Sequence, residues 1–188
     1  TILGIVIGVA AVITMVTLGK GATIQVASEI GNLGSNMLQV RPGQGFRGPG
    51  GARSEASMFK IEDAEAIKDQ VTGLEAVAPL ASKGAQAIYG NENWSTVVYG
   101  TTDEYLQVRD WLLEGGRSFT PSELHSGKAV CIIGATVKKE LFGGANPLGA
   151  SIRLGKLSCE VIGVLESKGA SAFGSDQDDF VLIPLRTF

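Results

Sequence analysis

Three acidic side chains in four positions are the densest chemistry in this 188-residue chain. Asp176, Asp178 and Asp179 stand in Gly174-Ser175-Asp176-Gln177-Asp178-Asp179. Carboxylates this close together suit a hard cation. The EF-hand pattern is missing, because no glycine follows at the sixth loop position and no Glu at the twelfth. A loop whose Asp side chains cap their own backbone accounts for the same residues. A contact surface for a partner lies between these two readings.

The other reactive side chains are sparse. His125 sits in the turn-like Glu123-Leu124-His125-Ser126-Gly127. A catalytic His needs a nucleophile and an orienting acid beside it, and no G-x-S-x-G run supplies the nucleophile. A solvated surface His is expected. Cys131 and Cys159 fall in expected strands, without zinc-ligand spacing. Outside the cytoplasm a disulfide between them is chemically permitted; two buried free thiols are the expectation. Gly43, Gly45 and Gly48 match G-x-G-x-x-G. A dinucleotide site requires a helix to open at once, and Pro49-Gly50-Gly51 forbids one, so a loop is expected. No G-x-x-x-x-G-K-[ST] run exists, so the chain has no phosphate cradle of that kind. Asn93-Trp94-Ser95 matches a glycosylation sequon, read here as a chance match. No catalytic, cofactor or metal residue is assigned.

Composition narrows the class. Hydrophobic residues are 44% and charged residues 19%, too apolar for a disordered chain. The net charge of -3 lacks the basic excess that binding nucleic acid through phosphates demands. Two Cys cannot staple a scaffold.

The apolar excess is concentrated at one end. Residues 1–19 carry no charge, and Lys20 is the first. At ~1.5 Å per residue this stretch reaches about 28 Å as a helix, close to a bilayer core of ~30 Å. Gly4 and Gly8 form a small-xxx-small pair, and Thr14 and Thr17 can bond back to helix carbonyls. A transmembrane helix fits best; a signal peptide or a buried core helix competes. From Lys20 to Asn36, Ala22, Val26, Ile30, Leu33 and Met37 recur on one helical face, as in an amphipathic stalk.

Beyond the stalk the pattern shortens. Met37 to Val40 is a strand candidate. Glu62 to Thr72 is a helix with Ala64, Ile67, Val71 and Leu74 on one face and acids in its first turn. Leu74 to Tyr89 is extended, broken by Pro79 and Gly84. A turn at Asn91 to Asn93 leads to a strand from Trp94 to Tyr99. Leu106, Trp111, Leu112 and Leu113 are core candidates. Thr120-Pro121-Ser122-Glu123 has the order of a capped helix start. Strands at Ala129–Ile133, Ser151–Leu154, Leu157–Leu165 and Phe180–Leu185, and a helix at Thr136–Phe142 with Val137, Leu141 and Phe142 facing in, complete the pattern. Strands and short helices alternate without a regular repeat, which predicts an α+β fold rather than a doubly wound sheet.

Together these segments resemble the membrane subunit of MacB-type ABC transporters, of the MacB/FtsX/LolCDE superfamily. The carriers are Leu3-Gly4-Ile5-Val6-Ile7-Gly8 running to Leu18-Gly19-Lys20-Gly21-Ala22, Ile133-Gly134 through Leu141-Phe142-Gly143, and Asn146-Pro147-Leu148-Gly149 with Ile152. Val161-Ile162-Gly163-Val164-Leu165 and the Asp-rich run before Val181 and Pro184 follow in order. The resemblance implies a transmembrane helix over 1–19 and a stalk over 20–36. It implies an extracytoplasmic domain of two subdomains: a porter-like part beginning over 37–95, an inserted mixed α/β part over 96–180, and the start of a return at 181–188.

The resemblance also implies a permease in the bacterial inner membrane, with most of this chain in the periplasm. Such a permease works as a dimer in membrane lipid, with an ATP-binding subunit or domain elsewhere. It acts with a periplasmic adaptor and an outer-membrane channel to export drugs, peptides or other hydrophobic cargo. A lipoprotein-releasing or cell-division permease is the alternative within the superfamily, and an anchored extracytoplasmic binding domain is the alternative outside it. Asp176, Asp178 and Asp179, with Phe119 and Glu123 near a loop tip, are the candidate partner contacts. Lys60 stands where a Ser- or Thr-type helix cap is expected.

Overall fold

The computed structural model describes residues 7, 8, 10, 12–17, 19, 20, 37–43, 58–171 and 174–188. The chain divides into two compact units, Thr1–Asn36 with Ala170–Ser175, and Met37–Gly169 with Asp176–Phe188.

In the first unit, the described residues between 7 and 20 are helical. Thr14 Oγ1 donates to the Ala10 carbonyl at 2.8 Å and Thr17 Oγ1 to that of Ile13 at 2.7 Å, the back-bonding expected of them. Ile7, Val12, Ile13, Met15 and Val16 are all exposed. Among the described residues no helix is long and apolar enough to cross a membrane. The rest of the expected 1–19 helix, the stalk from 21 to 36 and Gly45 and Gly48 of the glycine run lie outside the described residues. At Ser171 to Ser175, the Ser171 carbonyl accepts from Gly174 N–H at 2.8 Å, and Gly174 turns at φ +77°.

The second unit is built on one mixed sheet. Its elements are α1 (Ile61–Gln70), β1 (Ala81–Tyr89), β2 (Glu92–Thr101), α2 (Glu104–Val108), β3 (Leu113–Gly116), α3 (Pro121–Ser126), β4 (Val130–Ile133), α4 (Ala135–Phe142), β5 (Ser151–Leu154), β6 (Leu157–Leu165), β7 (Phe180–Pro184) and a 3₁₀ turn (Leu185–Thr187). The strand order is β3-β6-β4-β7-β2-β1-β5, and β5 also pairs with β6. Six strands therefore close into a ring, β6-β4-β7-β2-β1-β5 and back to β6. β3 lies outside the ring, on the C-terminal half of the β6 edge whose N-terminal half holds β5.

Closure explains the apolar runs. One hydrophobic cluster takes residues from all six ring strands: Ala87, Val98, Cys131, Ile152, Val161 and Val181 each come from a different one. This is the ring interior. α4 adds Val137, Leu141 and Phe142 to it, as its spacing predicts. The second cluster joins Val130, Ile132, Ile162, Leu165, Phe180 and Leu182 to Tyr105, Trp111 and Phe119. It covers the outside of β4, β6 and β7. β4 and β7 are buried on both faces and at every position, and β6 from Val161 to Leu165. Each fully buried Leu, Ile or Val contributes about 1.5–3 kcal/mol.

Register is adjusted in β6. β4 pairs Cys131 with Val161 but Ile132 with Gly163, skipping Ile162. The extra residue is a bulge. It lets Val161 and Val164 both face inward while Ile162 and Leu165 face outward. Gly163 is required there, because a Cβ would lie 2.7 Å from the Arg117 carbonyl oxygen.

Several expectations change. Met37 to Val40 form no strand. Gly84 does not break β1, where it pairs with Val97. The hairpin turn is Gly90-Asn91, one residue earlier than expected, with Gly90 at φ +58° as a Gly-first two-residue loop requires. Leu112 is 63% exposed rather than buried, because its neighbour Trp111 takes the inward position. α1 buries none of its residues within the described structure. Residues 95 and 96 are consecutive within β2, whose ladder with β1 is unbroken.

Candidate functional site

The acidic run is organised by what each carboxylate grips. Asp178 is buried and accepts from Ser167 Oγ, from Lys168 N–H at 2.8 Å and from Gly169 N–H at 3.0 Å. It thereby ties residues 167–169 to 178. Asp176 accepts from Thr136 Oγ1 at 2.6 Å, in the first turn of α4, and from Asp178 N–H at 2.8 Å. Asp179 accepts from Trp94 Nε1 of β2 at 3.0 Å. The three carboxylates point to three different elements. Self-capping and docking onto neighbours describe this run better than a shared cation does. Gly134, at the head of α4, is part of the same joint: its N–H donates to the Phe180 carbonyl at 3.0 Å, and a Cβ there would lie 2.1 Å from the Asp178 carbonyl oxygen.

The second set of candidates is also turned inward. Thr120, Pro121 and Glu123 make the expected helix start. Thr120 Oγ1 accepts from Glu123 N–H at 3.4 Å, and the Glu123 carboxylate accepts from Thr120 N–H at 3.0 Å. The same carboxylate receives both arms of Arg117, at 2.7 and 2.8 Å, and Lys128 at 3.3 Å. It is buried, and the Arg117 fork holds it well below the usual carboxylate range. Phe119 is buried in the outer cluster. Contact by Phe119, Glu123 or Asp178 with a partner would need these side chains to leave their places. Asp176 is exposed and Asp179 half-buried, so those two remain accessible.

Other sequence candidates have structural explanations. His125 is exposed, with Nδ1 3.0 Å from the Pro121 carbonyl oxygen. Cys131 and Cys159 are free and buried, on neighbouring strands of the inner cluster. Burial pushes the Cys131 thiol up. They are offset by two residues, since Cys131 registers with Val161. Asn93 is exposed on β2, its side chain held by Gln86 Nε2 at 3.0 Å. Lys60 precedes α1, and Asp63 compensates by accepting its N–H at 2.7 Å.

One constellation escaped the sequence pattern. Trp111 donates from Nε1 to the Glu166 carbonyl at 2.8 Å and meets Phe180 edge-on at 4.9 Å. Lys168 Nζ lies 4.9 Å from the centre of the indole, and Arg109 Cζ 5.7 Å. Lys168 Nζ also donates to the Arg109 carbonyl at 2.9 Å. Burial lowers the Lys168 pKa. The partners are 57 residues apart in the chain, Trp111 to Lys168, so local spacing carries no signal of them.

The arrangement belongs to a class: a mixed α/β domain whose buried polar side chains fasten loops to a closed sheet. A family model for the MacB-like periplasmic core domain matches residues 1–188. The chain belongs to that family. It is 38% identical over 187 residues to a macrolide export ATP-binding/permease protein MacB of Syntrophobacter fumaroxidans, covering 98% of this chain and 26% of that protein. It is 40% identical over 190 residues to the MacB of Bdellovibrio bacteriovorus, covering 100% of this chain and 29% of that one. The chain thus spans under a third of these relatives. Among solved structures, it resembles the periplasmic region of MacB from Actinobacillus actinomycetemcomitans with a TM-score of 0.66 and 26% identity, over 84% of this chain and 69% of that one. It resembles the extracellular domain of the noncanonic ABC-type transporter YknZ from Gram-positive bacteria with a TM-score of 0.59 and 30% identity, over 68% and 63%.

Proposed function

We propose that this chain is the extracytoplasmic part, with its leading membrane helix, of a MacB-type ABC exporter permease. The observation that carries this reading is the likeness to MacB, in sequence over 98% of the chain and in fold over 84% of it. The fold of the second unit agrees with a transmitting role. A closed ring with a packed interior deforms little, and its conspicuous acidic side chains clamp loops instead of facing a substrate. In this role the domain sits outside the cytoplasm of a bacterial cell, anchored by residues 1–19 in the inner membrane. The exposed apolar side chains on the described helical residues support that anchor.

ATP hydrolysis falls to a nucleotide-binding subunit or domain outside this chain, which itself has no Walker A run. Two permease copies working with a periplasmic adaptor and an outer-membrane channel would turn that hydrolysis into extracytoplasmic motion. The cargo class is drugs, peptides or other hydrophobic molecules. The test is to extract the intact native protein in mild detergent and identify co-purifying proteins by mass spectrometry. An ATP-binding partner or fused ATPase domain together with an adaptor supports export. A lipoprotein carrier or a wall hydrolase in place of the adaptor moves the protein to the lipoprotein-releasing or cell-division branch. Absence of any ATPase sinks the transporter reading and leaves an anchored binding domain.

A further inference from the structure

We draw no further inference here: the strongest candidate, the exposed apolar face of α1 with the neighbouring Met58 and Phe59, carries nothing because nothing in the structure shows what covers it.

Discussion

Glu123 and Asp178 look like surface acids in the sequence and behave as buried anchors. Glu123 is charged, buried and bonded to Arg117, Lys128 and Thr120 at once. Removing its charge leaves the Arg117 fork and the Thr120 N–H poorly paired. Glu123→Gln should therefore lower stability by about 1–3 kcal/mol, since water can reach the half-exposed Arg117 and Lys128, read from the midpoint of denaturant unfolding at pH 7. The pH dependence follows from the depressed carboxyl pKa. In the unfolded chain this Glu takes a proton near an ordinary pKa of ~4.3, while in the folded chain it stays ionised. Its contribution is complete above that value and is lost as pH falls below it. The parent protein should lose stability more steeply than Glu123→Gln between about pH 5 and pH 3; parallel curves would show that the pairing contributes nothing.

Asp178→Ala should cost roughly 2–4 kcal/mol, since it strands the Ser167 hydroxyl and the Lys168 and Gly169 N–H groups. A thermal unfolding midpoint unchanged from the parent would refute that clamp. Cys131 and Cys159, buried and with the Cys131 thiol pushed up, should resist a maleimide in the folded state and react fully in denaturant. Rapid labelling of the folded protein would mean that the ring opens.

At the scale of elements, the joint between β4, α4 and the acidic run is tightly packed. β4 ends at Ile133, and the chain must turn at Gly134 directly against the backbone of Asp178. Gly134→Ala has no room for its Cβ without moving that backbone. The expected cost is about 1–3 kcal/mol, with Ala135→Gly, at the first helical position of α4, as a control that costs at most about 1 kcal/mol. Equal losses in the two variants would remove the steric argument. The α3 start and the α4 face were legible because caps and helical spacing act over three or four residues. The β6 bulge was not, because an extra residue shows only against its partner strand.

For the whole molecule, closure of the ring decides which backbone is protected. β4 and β7 lie between strands on both sides and under side chains on both faces. Among the described residues β3 is the end strand, pairing only with β6, and holds three registered pairs. Amide hydrogen exchange should be slowest in β4 and β7 and faster in β3 and α1. Protection of β3 equal to that of β7 would contradict the ring as described.

What the sequence determined by itself was local or compositional. The apolar N-terminal run, the capping residues at Thr120 and Glu123, the runs of β-formers in β4, β6 and β7 and the absence of a nucleotide motif need no knowledge of distant residues. The family was also legible, because its motifs recur in order along the chain. Only the tertiary structure decided where Phe119, Glu123 and Asp178 point, since a charged residue is buried or exposed according to how the folded chain places its donors, and here these lie 5 to 11 residues away, beyond helix or strand spacing. Arg117 and Lys128 close over Glu123, and residues 167–169 close over Asp178. The contact of Lys168 with Trp111, and the closure of six strands through the pairing of β5 with β1, depend on the same thing. They join residues far apart in the chain, and only the folded chain brings such residues together.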